Sequence, residues 1–202
     1  MLTGVAAAIL AGGRATRMGG LAKSFLEVDG RRIIDRQLDV LRPLFGELLI
    51  VAHSPAEYRE FGLPIVGDAP GPGAGEGPLA GILAALLAAR AERVVVLACD
   101  MPFLDARALR VVAEGAKSAV DAASPDDADL VVPVIDGRFE PLFARYARTC
   151  VPAIRARLAA GERKVTSFYA DLRVHRLDEA TLRALDPDLR FLANCNSPAD
   201  LR

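Results

Sequence analysis

The sequence predicts an α/β fold: one domain built on a mostly parallel twisted sheet with helices on both faces. Three observations predict it. Short apolar runs alternate with amphipathic segments along the whole length, the pattern of strand–helix–strand units. The run Val94-Val95-Val96-Leu97-Ala98 has no polar position, as expected of a strand buried on both faces. Several runs end in Gly, Pro or a lone carboxylate, and in open parallel sheets ligands sit beyond the carboxyl ends of the strands.

Taken in order, the expected strands are Val5 to Ala11, Leu48 to Ala52, Pro64 to Val66, Arg93 to Ala98, Leu130 to Val134 and Arg173 to Leu177. The expected helices are Arg32 to Arg42, Ala56 to Glu60, Leu79 to Arg90, Ala106 to Ala116, Val151 to Ala160 and Glu179 to Leu185. A chain of 202 residues suits a single domain, 1–202, with a sizeable core. Hydrophobic residues make up 52% and the formal net charge is −1, which excludes disorder and gives no basic surplus for nucleic acid. The first residues carry no basic n-region, and the apolar run after them is too short for a signal peptide or a membrane span. A cytoplasmic protein with no membrane contact is expected. Cys99, Cys150 and Cys195 are odd in number and far apart, which argues against a disulfide framework or a Cys-rich zinc site and for simple burial. Two histidines, His53 and His175, are too few for a multi-histidine metal centre.

The first strand feeds the loop Leu10-Ala11-Gly12-Gly13-Arg14-Ala15-Thr16-Arg17-Met18-Gly19-Gly20-Leu21-Ala22-Lys23. Its glycines let the backbone turn sharply and bring N–H groups close to a ligand. Arg17 and Lys23 add fixed positive charge, so a polyphosphate suits it. The loop is not a P-loop, because Ala22 stands directly before Lys23-Ser24, where that motif needs Gly. It is not the dinucleotide fingerprint either, because Gly12-Gly13 and Gly19-Gly20 have the wrong spacing.

Other strand ends carry further candidates. His53 follows the second expected strand, as a hydrogen-bonding group or as an exposed turn residue. Asp68 follows the third, and a Gly/Pro-rich stretch leads from it to Gly77-Pro78-Leu79-Ala80-Gly81. Proline at a helix start pre-sets the backbone and leaves N–H groups pointing outward. Asp100 follows the most apolar strand, in Cys99-Asp100-Met101-Pro102-Phe103-Leu104. An ionised carboxylate there needs a partner. Asp105 is better placed than Asp100 to cap the next helix, which leaves a divalent cation such as Mg2+ as the partner for Asp100. The acidic stretch Asp121 to Asp129 reads as an exposed loop. Arg163 and Lys164 either meet a substrate phosphate or complement a helix C-terminus. Asn196 or Ser197 can cap a last short helix.

With these residues in view, the chain resembles the nucleotidyltransferases that act on molybdopterin. The resemblance is carried by Leu10-Ala11-Gly12-Gly13 with Arg17-Met18-Gly19-Gly20 and Lys23, by Gly77-Pro78-Leu79-Ala80-Gly81, by Cys99 to Leu104 and by Asn194-Cys195-Asn196-Ser197-Pro198. Gly12-Gly13 is nearer to the molybdenum cofactor guanylyltransferases than to their cytidylyl relatives. Ala22 departs from the family, which often has Asp there. The resemblance implies a Rossmann-like nucleotidyltransferase fold and GMP transfer from GTP to the terminal phosphate of molybdopterin. It implies nucleotide contacts from Leu10, Ala11, Gly12, Gly13, Lys23, His53, Asp68, Gly77, Pro78 and Asp100. It makes Lys23, Arg17 and Asp100 the catalytic set, with Asp100 as the Mg2+ ligand, and places Asn194 and Asn196 at the pterin. Glu140, in Phe139-Glu140-Pro141-Leu142-Phe143, either shapes the pterin side or forms a structural turn.

The implied reaction needs no dedicated general base. A phosphate monoester is already largely dianionic near neutral pH, with a second pKa near ~6. Repulsion between phosphates is the obstacle, and Lys23, Arg17, loop N–H groups and a metal at Asp100 would offset it. Catalysis is then mainly alignment and electrostatics. The expected partners are GTP and molybdopterin, with transient contact to other molybdenum cofactor proteins by an otherwise monomeric chain. Two other readings stand beside this one: a cytidylyl or sugar-1-phosphate transfer on the same fold, and a nucleotide-binding module without catalysis.

Overall fold

The computed structural model describes residues 1–11, 17–18, 21–67, 77–116 and 124–195. In chain order the strands and helices are β1 (Val5–Leu10), β2 (Arg17–Met18), β3 (Leu21–Ala22), β4 (Glu27–Val28), β5 (Arg31–Arg32), α1 (Ile33–Leu41), β6 (Leu48–Val51), β7 (Ile65–Val66), α2 (Pro78–Ala88), β8 (Arg93–Ala98), α3 (Ala106–Glu114), β9 (Leu130–Ile135), β10 (Arg138–Phe139), β11 (Phe143–Ala147), α4 (Val151–Ala159), β12 (Val174–Leu177) and α5 (Glu179–Arg183). The strand and helix limits read from the sequence fall within a few residues of these. The segment expected as a helix at 56–60 is instead a 3-10 turn, Pro55–Phe61.

Among the described residues the main sheet has eight strands, in the order β10-β9-β11-β8-β1-β6-β7, with β12 also paired to β9. The pairs β8–β1, β1–β6, β6–β7 and β9–β12 are parallel. Two strands are exceptions: β11 lies between β8 and β9 and is antiparallel to both, and the short β10 at the edge is antiparallel to β9. The sequence reading missed β11, because a cation interrupts its apolar run. Arg145 sits mid-strand, is 1% exposed, and donates to the carbonyls of Ala113 and Pro125. Those bonds replace part of the water that the guanidinium loses, while its Nε is buried with no hydrogen-bond partner among the described residues.

Alternation along the central strands divides the core in two. Val5, Ala7, Ile9, Val95 and Leu97 face α1, α3 and α5. Ala6, Ala8, Leu10, Val94 and Val96 face α2 and α4. Strand β1 is buried on both sides, which is why it reads as an unbroken apolar run. The main-sheet geometry brings the carboxyl ends of β1, β6, β7, β8 and β9 to one rim. The turn before β11 reaches the same rim, where the Ala98 N–H bonds to the Leu142 carbonyl.

Candidate active site

Asp100 lies in the turn directly after β8, and Lys23 opens the 3-10 turn Lys23–Phe25. The two are 77 residues apart in sequence, yet Lys23 Nζ donates to Asp100 Oδ2 at 3.3 Å. Their side chains are 17% and 16% exposed. The pair is shielded enough to strengthen its attraction and open enough for a ligand to reach it.

Several bonds hold this pair against the end of β1. Ser24 is fully buried, and its hydroxyl lies 2.8 Å from the Tyr58 hydroxyl. Tyr58 also donates to the Ala11 carbonyl at 3.4 Å. The Ser24 N–H bonds to the Cys99 thiol. Burial pushes that thiol up to about 12, so Cys99 packs and does not act as a nucleophile. Burial likewise pushes the Tyr58 phenol up to about 12, so it keeps its proton. The Cys195 N–H donates to the Asp100 carbonyl at 2.7 Å, which brings the C-terminal segment, with exposed Asn194, beside the Asp100 turn.

The other residues expected at the site are distributed as follows. Leu10 turns its side chain into the core, leaving only its main chain toward the rim. The Ala11 N–H is engaged by the Val51 carbonyl. Arg17 and Ala22 are paired across the β2–β3 hairpin, so the Arg17 main chain runs beside the residue before Lys23. His53 is exposed just beyond β6. Gly77 has φ +89° and precedes α2, with Pro78 at its first position. Gly12, Gly13, Asp68 and Asn196 lie outside the described residues, as does Ser197, the possible cap. Glu140 is half-buried in the turn that leads into β11, and burial raises its carboxyl pKa. Arg163 and Lys164 are exposed after α4.

Two sequence expectations resolve differently. Asp105 does cap α3, accepting from the N–H groups of Arg107 and Ala108. Asp129 is not part of an exposed acidic loop. It is 9% exposed and binds Arg173 and Thr149, because its position at the start of β9 carries it under the neighbouring strands. Asp126 and Asp127 are exposed as expected. All three cysteines are buried.

Sequence reasoning missed Ser24, Tyr58 and Arg36. Arg36 lies 5.5 Å from the Phe103 ring centroid and Arg190 lies 5.0 Å from it. A cleft of about 590 Å3 borders this stack, lined by residues that include Pro102, Phe103 and Asp105. No local motif marks these residues, because each is defined by a partner far along the chain.

Among the described residues no group of three or more His, Cys, Asp or Glu side chains gathers into a metal cage. The donor chemistry at Asp100 still fits a hard divalent ion, which takes one or two carboxylates and completes its shell with phosphate oxygens and water. No helix among the described residues is long and apolar enough to cross a membrane.

Comparison with known proteins agrees with this geometry. The MobA-like NTP transferase domain family matches residues 7–177. A molybdenum cofactor guanylyltransferase of Desulfosudis oleivorans is 35% identical over 193 residues, covering 96% of this chain and 90% of the relative. A probable molybdenum cofactor guanylyltransferase of Pelotomaculum thermopropionicum is 39% identical over 194 residues, covering 96% and 88%. The crystal structure of molybdopterin-guanine dinucleotide biosynthesis protein A from Archaeoglobus fulgidus superposes with a TM-score of 0.77 at 27% identity, covering 97% of this chain and 94% of that one. With its sheet order, its rim and its full-length similarity in agreement, the chain belongs to the MobA-like NTP transferase family, among the molybdenum cofactor guanylyltransferases, and is a nucleotidyltransferase.

Proposed function

We propose that this chain transfers GMP from GTP to the terminal phosphate of molybdopterin, giving molybdopterin guanine dinucleotide and pyrophosphate. The observation that carries the reading to particular residues is the Lys23–Asp100 pair, 3.3 Å apart at the rim. A terminal phosphate oxygen of molybdopterin attacks the α-phosphorus of GTP. The new P–O bond forms as the bond to the β-phosphate bridging oxygen breaks, and pyrophosphate carries away that electron pair.

Lys23 holds the triphosphate and stabilises charge on the leaving group, a role that suits a fixed cation in a water-poor site. Arg17 joins it from the hairpin whose far strand ends at Ala22. Asp100 would hold Mg2+, which would supply neutralisation of the phosphate charge. Gly12, Gly13, Asp68, Gly77 and Pro78 contribute to the nucleotide side, with the main chain of Leu10 and Ala11 and the imidazole of His53 at adjoining strand ends. Asn194 and Asn196 serve the pterin side, a reading supported by the Cys195 bond to the Asp100 carbonyl. Side-chain amides offer donors and acceptors together, as a pterin edge requires.

The test is pyrophosphate release by purified protein given GTP, Mg2+ and molybdopterin. Asp100→Ala should lower turnover by at least about a hundredfold while the protein still melts cooperatively. Full turnover in that variant would refute the role of Asp100. Competition among GTP, CTP and UTP checks the base, and preferential binding of CTP would replace GMP transfer with cytidylyl transfer.

A further inference from the structure

We propose that Gln37 is a positioning residue for Asp100, an inference that rests on the role of Asp100 given above. Gln37 lies within α1 and is fully buried. Its neighbours on the inward face of the helix, Ile33, Ile34, Leu38 and Leu41, are all apolar. The side chain reaches across to the end of β8. Nε2 donates to the Ala98 carbonyl at 2.8 Å and to the Met101 carbonyl at 3.0 Å. These two carbonyls bracket Cys99-Asp100. Both amide hydrogens are therefore used on the turn that presents the Asp100 carboxylate.

The other end of the amide shows why this bond pair matters. Gln37 Oε1 is buried with no hydrogen-bond partner among the described residues. A buried acceptor without a donor is costly, and an apolar residue of similar volume would fill the same space without that cost. The compensating feature is the grip on Ala98 and Met101. The Cys195 N–H holds the Asp100 carbonyl from another side at 2.7 Å. Three constraints, on the carbonyls of Ala98, Asp100 and Met101, thus hold this main chain, and the held main chain aims the side chain of Asp100 at Lys23. A site group must be held to within about half an ångström to work, and α1 is a rigid element from which to hold it.

The experiment uses Gln37→Leu and Gln37→Met in the full chain, with three readings: melting temperature, amide hydrogen exchange at Cys195, and pyrophosphate release as a function of Mg2+ at saturating GTP. The expected result is a folded protein with faster exchange at Cys195. Its half-saturating Mg2+ should rise about tenfold, the usual scale for losing a group that orients a metal ligand, and turnover at saturating Mg2+ should be largely retained. Wild-type Mg2+ dependence in either folded variant overturns the inference, as does unchanged exchange at Cys195. Failure of both variants to fold also overturns it, in favour of a purely structural role. If instead the unaltered protein shows no response to Mg2+, the role given to Asp100 falls and this inference falls with it. The two failures are distinguished by which protein shows them.

Discussion

Tyr58 joins parts of the chain that sequence order keeps apart. Its hydroxyl bonds Ser24 on one side of the glycine-rich loop and Ala11 on the other, 34 and 47 residues away. It therefore fixes the span between the end of β1 and Lys23. Tyr58→Phe removes that tie while keeping the ring, which stacks on Phe25 with centroids 5.2 Å apart. The buried Ser24 hydroxyl then loses its partner, at a cost of about 1–2 kcal/mol. A drop of a few degrees in melting temperature is expected for a chain of this size, about 2–4 °C per kcal/mol, together with weaker GTP binding in a titration. GTP affinity equal to wild type would separate the hydroxyl from the loop's function. Lys23 and Asp100 were legible in the sequence because each closes a local pattern, a glycine-rich loop in one case and a buried strand in the other. Tyr58 and Gln37 were not, since a phenol on a 3-10 turn and an amide on a helix carry no local sign of the carbonyls they hold.

Helix α2 shows how an element can be legible and its reason hidden. Gly77-Pro78 announces its start, and the structure gives Gly77 the positive φ that suits glycine. Gly81 inside the helix looks like a weakness, because glycine costs about 1 kcal/mol relative to Ala in a helix interior. The packing explains it: a Cβ at Gly81 would lie 3.3 Å from a methyl of Leu10. The helix therefore approaches β1 closely, just where β1 meets the glycine-rich stretch that follows it. Gly81→Val should overpack this contact and destabilise the protein by about 1–3 kcal/mol, read as a lowered urea midpoint, whereas Leu87→Gln on the exposed side of the same helix should shift stability by no more than about 0.5 kcal/mol. Strand β11 is the opposite case. Its apolar pattern is broken by Arg145, and only the tertiary carbonyls of Ala113 and Pro125 make a cation tolerable there. The β4–β5 hairpin also escaped the sequence reading, although Asp29-Gly30, both with positive φ, is a strong signal for a two-residue turn.

At the scale of the whole molecule, Asp129 ties β9 to the segment before β12. It accepts from the Arg173 side chain and backbone and from Thr149. The Arg173 guanidinium in particular holds its carboxyl well below the usual carboxylate range. The unfolded chain, with an Asp near ~3.9, takes up the proton first as pH falls. The stabilisation is thus fully present above the unfolded value and is lost as pH drops from about 4 through the folded-state value. Asp129→Asn should melt lower than wild type at pH 7, and the gap should narrow below about pH 4; a gap of constant width would remove this carboxylate from the acid response. Taken alone, the sequence determined the fold class and the positions of the parallel strands, and it singled out two charges, Lys23 and Asp100, as candidates for the site. These follow from burial periodicity and from motifs a few residues long, which a linear reading can see. Only the tertiary structure decided that those charges meet at 3.3 Å, that an antiparallel strand enters the centre of the sheet, and that Tyr58 bonds Ser24 and Ala11 while Gln37 bonds the carbonyls of Ala98 and Met101. Such facts depend on contacts between residues tens of positions apart, and a contact of that kind exists only once the chain has closed on itself.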